Sequence, residues 1–399
     1  MAVKRMLFIL CSLHVECTVS QSVSVTVATD KAIATIDDHF VGVTFESTML
    51  PISANWYGLD FGSPKVQTLA KALSPCYLRI GGTPGDFMTF DPTGHGGTSP
   101  NATYTGWDLV FGLNVLKRKD GQRDPTNAQE LMKYSHDRNY KIPEFELGNE
   151  PSSFPKPFTD TISGAQLGRD CLPEYLVMDG LITDINIARN VTNLSNPDTP
   201  LWLGETSSFY GGGTPGVSDR YVAGFLWLDK LGIAARMGLK GVLRQSYFGK
   251  NYSLIEMNTF EPYPDYWLTL LYKRLVGFKV LSVQTNSTNS FRVYAHCAKQ
   301  ENLYRYKPGS VVAYIVNVNN FTTAVTFPQF KTNMDVFWLQ PAFPDLTSRN
   351  VTLNGKRLDY VNDTIPEMPP ERAYGGSLQL PATTFGFVVF PDAGVGICK

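Results

Sequence analysis

The stretch FELGNEPSSF, Phe145 to Phe154, ends a short apolar run in Asn149 and Glu150 and then stops at a proline. LWLGETSSFYGGG, from Leu201, repeats the layout: an apolar run, a glycine, Glu205, then a loop of Ser and Gly. Two carboxylates, each closing an apolar strand, are what hydrolysis of a glycosidic bond requires. One must be protonated to assist the leaving oxygen, and the other ionised to attack or to activate water. A lone Asn-Glu pair says little, because most glutamates are solvated surface charges. Two strand-terminal glutamates with the same downstream Gly, Ser and aromatic residues say more.

Whichever glutamate is the ionised member calls for hydrogen-bond donors, and for Glu205 the candidates are Arg244 and Tyr247 at the end of the next strand. The other must keep a proton in the free enzyme, which the negative charge of its partner favours. Activity is therefore expected to peak at mildly acidic pH.

Other chemistries have less support. The five histidines, His14, His39, His95, His136 and His296, show no ligand spacing, so neither a metal centre nor a Ser-His-Asp triad is expected. YGGGTPG, from Tyr210, lacks the Lys-Ser/Thr ending of a phosphate loop and follows a glutamate, which suits a sugar-facing loop better. No cofactor is expected.

The elements that must position these groups are legible as a pattern. Up to about residue 275, continuous apolar runs (FVGVTFE, YLRIGG, WDLVFGLN, PEFELGNE, LWLGE, GVLRQSYF) alternate with helical segments, as in parallel strands buried on both faces. One helix is expected to start at Ser63 and Pro64, another near Ser218 and Asp219 with Val222, Phe225 and Leu226 on one face. This alternation argues for an α/β layered sheet or a (β/α) barrel over 37–278. From about Lys279 the pattern changes to period-two strands separated by turns, so 279–399 is expected to form an antiparallel sandwich. VSVTVAT reads the same way, and the segment 21–36 is expected to join that second sheet.

Residues 1–20 read as an export signal, with Lys4 and Arg5 ahead of the apolar run MLFILCSLHV, too short to span a bilayer. The mature chain is thus expected outside the cell or in the secretory pathway. Eight Asn-X-Ser/Thr sequons, at Asn101, Asn190, Asn193, Asn251, Asn286, Asn320, Asn350 and Asn362, are expected on surface loops. Removing the signal leaves Cys76, Cys171, Cys297 and Cys398 without zinc-type spacing, so one or two disulfides are expected. A bridge between Cys297 and Cys398, near the two ends of the second domain, would close a long loop. A net charge of −1 gives no electrostatic footprint for nucleic acid or an anionic membrane.

GSPKVQTLAKALSPCYLRIGGT, FGLNVLKR, NAQELMKY, ELGNEPSSF and the long run from LWLGETSSFYGGG through VSDRYVAGFLWLDKLGIAARMGLKGVLRQSYFG to PDYWLTLLYKRLVG resemble the heparanase-like endo-β-glucuronidases, a retaining glycosidase family. The resemblance covers most of the chain and is densest from Leu201 to Gly277. It implies a (β/α)8 barrel of the TIM type with an appended β-sandwich, Glu150 as acid/base and Glu205 as nucleophile. The two carboxyl groups of such a retaining pair stand about 5 to 5.5 Å apart. It further implies Asn149 on the sugar hydroxyl beside the reacting carbon, and Gly211 and Gly212 N–H groups with the Tyr252 hydroxyl on a uronate carboxylate. Gly81, Gly82, Thr83 and Asp86 would line the mouth. The implied substrate is a glycosaminoglycan, hyaluronan or heparan sulfate, cleaved by a monomer.

The chain departs from that pattern in length. A barrel of roughly 250 residues allots about 30 to each strand-helix unit, so about 90 should separate the acid strand from the nucleophile strand. Here Glu150 and Glu205 are 55 positions apart. Two strands and a helix are therefore expected to be missing, along with the family's His-Tyr-Tyr strand-end motif. The segment between Gly82 and Trp107 is rich in Gly, Pro and Thr without helical period, so the family's helix and excisable linker are not expected there. KRKDGQR, from Lys117, is expected to be a solvated loop rather than a dedicated heparin site. Three states fit an incomplete barrel: an active endo-glucuronidase, a non-catalytic glycosaminoglycan-binding relative or inactive shortened isoform, and a poorly folding chain. Turnover, saturable glycan binding without turnover, and failure to be secreted as a compact monomer tell them apart.

Overall fold

A computed structural model describes residues 21–46, 62–93, 106–114, 116–147, 149, 175–194, 196–287, 289–300 and 303–399. The six continuous apolar runs form one all-parallel sheet of β2 (Val41–Glu46), β3 (Cys76–Gly81), β4 (Trp107–Leu113), β7 (Glu144–Leu147), β8 (Trp202–Thr206) and β9 (Gly241–Arg244). The spatial order is β7-β4-β3-β2-β9-β8. Read around the wall, the strands follow chain order, β2-β3-β4-β7 on one side and β8-β9 returning to β2 on the other. Among the described residues, nothing pairs with the outer edges of β7 and β8, and this seam falls where the short spacing from Glu150 to Glu205 anticipated missing strands. KRKDGQR forms a small exposed hairpin, β5 (Arg118–Lys119) with β6 (Gln122–Arg123).

The sheet is strongly curled. Strands lie about 4.8 Å apart, so in a flat sheet β7 and β8 would be separated by about 24 Å. Instead Arg79 on β3 bonds to Glu146 on β7 and to Glu205 on β8. One side chain reaches both margins only if the sheet bends around it. The inner face is small, with Tyr77, Val110, Leu243 and Trp202 clustered together, while the outer face packs on helices in the main core.

The second sheet has eleven strands: β1 (Gln21–Thr35), β10 (Val276–Thr285), β11 (Phe291–Ala298), β12 (Val311–Asn317), β13 (Thr323–Thr326), β14 (Met334–Pro341), β15 (Val351–Leu353), β16 (Lys356–Arg357), β17 (Glu371–Ala373), β18 (Ser377–Leu380) and β19 (Thr384–Phe390). It is mixed rather than purely antiparallel, because β1 runs antiparallel to β10 but parallel to β13. Strand alternation divides its side chains between two cores. Tyr294, Val312, Tyr314, Phe387 and Val389 join the helices, while Val293, Ala313, Ile315, Val388 and Phe390 build a second core with β1, β13 and β18. The Cys297–Cys398 disulfide ties β11 to the chain's last residues, whereas Cys76 is a buried free thiol. Cys171 lies outside the described residues.

The two sheets share the helix Ala223–Arg236, which packs on β9 of the first and on β1, β10, β11, β12 and β19 of the second. A side chain at Gly232 would collide with the Tyr294 ring, with its Cβ only 2.3 Å from the nearest ring atom, so glycine permits this close approach. Beside it Asp229, fully buried, accepts from Tyr294 Oη and Arg292 Nε at 2.5 Å each.

Sequence signals for helix starts hold only in part. The helix Pro64–Ala72 begins where Ser63 and Pro64 place it, although Ser63 makes no side-chain cap bond. The next expected start, at Ser218 and Asp219, falls four residues before the actual one at Ala223. Both side chains are used in the preceding turn, Ser218 Oγ accepting from Thr214 N–H and Asp219 from Gly216 N–H. Asn190 and Asn193, expected on a loop, lie in the last turn of the helix Tyr175–Asn193.

Candidate active site

The C-terminal ends of the parallel strands converge on Arg79, which is 3% exposed and has all three guanidinium nitrogens engaged. Its Nε donates to Glu146 Oε2 at 2.6 Å, Nη1 to Glu205 Oε2 at 2.8 Å, and Nη2 to Asn149 Oδ1 at 2.9 Å. Burial opposes the Arg79 charge, but the Glu146 and Glu205 carboxylates hold its pKa above the ordinary value. Two residues on, Gly81 leaves room for the guanidinium, since a Cβ there would stand 3.0 Å from Arg79 Cζ.

Glu205 reaches Arg79 through an irregularity of β8. Leu203 pairs with Val242 and Thr206 with Arg244, so between these pairs two residues on β8, Gly204 and Glu205, oppose one on β9, Leu243. A bulge of this kind re-aims a side chain. Trp202 and Gly204 face the interior, Leu203 packs outward, and the extra residue turns Glu205 inward as well. Thr206 then points outward, where its hydroxyl accepts from Lys230 Nζ at 2.9 Å. Burial, then repulsion from Arg244, pulls the Lys230 ammonium pKa down to about 8.

On the other margin Asn149 is nearly buried, and its backbone N–H donates to both Asp86 oxygens at 3.2 Å. Asp86 sits in the 3-10 turn Thr83–Phe87, 1% exposed. Gly82 adopts φ +91 and lies against Glu46 at the end of β2, while Thr83 is exposed. Glu150, the expected acid, lies outside the described residues.

The loop after β8 meets the loop after β9. Gly211 and Gly212 have φ of +65 and +99, and Asn251 N–H donates to Gly212 O at 2.9 Å, which sets this turn beside Tyr252. Tyr252 is 5% exposed; burial pushes its phenol pKa up to about 12, a Gln245 hydrogen bond opposes this, and the nearby Glu46 and Glu205 charges reinforce it. The phenol therefore remains a hydroxyl donor at every physiological pH.

Arg244 and Tyr247 do not serve Glu205 in the way their position in the sequence suggested. On β9 Leu243 takes the inward position, so alternation turns Arg244 outward. There it pairs with Asp265 at 2.8 Å, both fully buried, and donates to Tyr252 O. Tyr247 is buried in the main core and donates to Val66 O at 3.1 Å. Arg79 takes the role expected of Arg244. Arg79, Glu146, Glu46 and Gln245 were not singled out from the sequence, where the charged residue inside YLRIGG was the available signal. No group of His, Cys, Asp and Glu among the described residues is arranged to hold a metal.

This architecture is shared with glycosidases built on the TIM barrel. A family 51 α-L-arabinofuranosidase from Thermotoga petrophila superposes with a TM-score of 0.63, covering 92% of this chain and all of that one at 11% identity. A 4-O-α-L-rhamnosyl-β-D-glucuronidase from Fusarium oxysporum gives 0.57 at 18% identity, covering 92% of this chain and 99% of that one. Residues 100–187 match the model described as glycosyl hydrolase family 79, N-terminal domain. Mouse heparanase is 32% identical, with 93% of each chain covered, and hyaluronoglucuronidase from Hirudo nipponia 30%, with 95% of this chain and 100% of that one covered. The chain belongs to the heparanase family of glycoside hydrolases. The alignment with mouse heparanase runs over 506 positions although this chain has 399 residues, so internal stretches of that relative have no counterpart here. No helix among the described residues is long and apolar enough to cross a membrane.

Proposed function

We propose that this protein is a secreted, retaining endo-β-glucuronidase that cleaves a glycosaminoglycan, hyaluronan or heparan sulfate, working as a monomer on a shortened (β/α)8 barrel with an appended β-sandwich. The observation that carries the reading is the inward carboxylate of Glu205, fixed by an arginine whose remaining arm holds Asn149, the neighbour of Glu150. The names of the relatives, heparanase and hyaluronoglucuronidase, support the choice of polymer.

In this reading Glu205 attacks the anomeric carbon while Glu150 protonates the departing oxygen, forming a glycosyl ester. Glu150 then removes a proton from the water that hydrolyses the ester. Arg79 keeps Glu205 ionised, because a hydrogen bond from Nη1 and a full positive charge favour the carboxylate. The Tyr252 hydroxyl and the Gly211 and Gly212 N–H groups receive the uronate carboxylate, and Asn149 takes the hydroxyl next to the reacting carbon. None of these residues needs to change its protonation state for binding.

A relative named inactive heparanase-2, from mouse, is 26% identical with 94% of this chain covered, which gives the non-catalytic reading its standing. Reducing-end release from hyaluronan and heparan sulfate at about pH 5, beside Glu150→Gln and Glu205→Gln, decides between them. The proposal expects cleavage of one polymer, abolished by both substitutions. A folded protein that binds glycan without turnover would replace it by the second reading.

A further inference from the structure

Glu146 has no part in the two-carboxylate chemistry, yet it competes with Glu205 for one cation. It occupies the Nε arm of Arg79 at 2.6 Å, the shortest of the three guanidinium contacts. It also reaches across the seam: a Cβ on Gly204 of β8 would stand 3.6 Å from Glu146 Oε1, and one on Gly112 of β4 3.8 Å from Oε2. The carboxylate thus sits over three strands, on the wall of a cavity of about 210 Å³ that Arg79, Val110, Trp202 and Leu243 also line.

A guanidinium is a rigid planar fork, so fixing one arm sets where the other two point. A single positive charge between two carboxylates cannot stabilise either as strongly as it would stabilise one alone. We propose that Glu146 is a positioning residue: it orients Arg79 toward Glu205 and Asn149, and by sharing the guanidinium charge it keeps Glu205 basic enough to be an effective nucleophile. This rests on the reading of Glu205 as nucleophile. The charged or titratable groups facing Glu205 from the described elements are Arg79 on β3 and Tyr252 after β9, whose phenol also senses Glu46 at the end of β2, with Glu146 acting through Arg79; Lys230 and Arg244 lie on the outer side.

The test compares the full chain with Glu146→Gln and Glu146→Ala in pH profiles of kcat and kcat/KM on the cleaved polymer. Trapping of a glycosyl-enzyme ester from a fluoroglucuronide, located by mass spectrometry, and thermal melts run in parallel. Gln keeps an acceptor for Arg79 Nε but removes the competing charge, so the acid limb of kcat/KM is expected to move down by about half to one pH unit. Ala frees the arm and is expected to lower kcat about 10- to 100-fold, with KM nearly unchanged. A Glu146→Gln profile that superimposes on the wild type, with Glu205 trapped, overturns this inference alone. Folded wild-type protein that neither turns over nor traps at Glu205 overturns the functional reading, and this inference with it.

Discussion

The two sheets place buried polarity differently. In the parallel sheet the interior is a cluster of charges, Glu146, Arg79 and Glu205, that hold one another in place across a seam with no paired strands among the described residues. The mixed sheet has one apolar face, the second core, while its helix-facing side buries the Asp229–Arg292 pair and a histidine that stays neutral: His296 shares Nδ1 with Gly277 O and Nε2 with Tyr314 Oη. Preorganised charge stabilises a transition state but contributes little to net folding stability, because desolvation offsets attraction. The difference teaches a division of labour: on the proposed reading one sheet holds the reacting groups, the other carries the larger apolar core, and the helix Ala223–Arg236 packs on both.

The strongest way to break this comparison is Arg79→Ala. It removes three hydrogen bonds and the buried positive charge that Glu146 and Glu205 share, and activity is expected to fall at least about a hundredfold. Steady-state kinetics on folded protein check it; retained activity would mean that the charge cluster does not organise the site. The converse change is Cys297→Ser with Cys398→Ser in the other sheet. Opening a bridge across a separation of 101 residues is expected to cost about 2–5 kcal/mol of stability while turnover per folded molecule stays unchanged. Denaturant melts and active-site titration separate the two quantities.

The smallest effect sharpens the contrast through pH. Burial lowers the His296 pKa from 6.5 to about 4, so the folded state refuses a proton that the unfolded chain accepts. Its penalty is absent above pH 6.5 and grows as pH falls toward 4, reaching no more than about 3 kcal/mol. Thermal melts of wild type against His296→Gln between pH 7 and 4 should show a shallower acid decline in the variant. Parallel curves would mean that another group controls acid sensitivity in this sheet.

What was legible in the sequence followed from local pattern. Six apolar runs became six parallel strands, VSVTVAT joined the second sheet, and Cys297 found Cys398. The departures concern phase and long-range competition. A bulge at Leu203–Thr206 decides that Glu205 faces inward, and no residue type announces it. The opposite phase on β9 sends Arg244 outward to Asp265, leaving Arg79, three strands from β8 in sheet order, to become the partner of Glu205. Ser218 and Asp219 carry helix-start chemistry but are used by the turn before it.

The seam between β7 and β8 has a consequence for how such a chain can vary between relatives. It opens between neighbours in the order around the wall, so material can be gained or lost there without permuting the remaining strands. Arg79 binds both margins from the opposite side and acts as a latch across the seam. The number of strands in the wall and the contacts that hold Glu205 are thereby set by different residues.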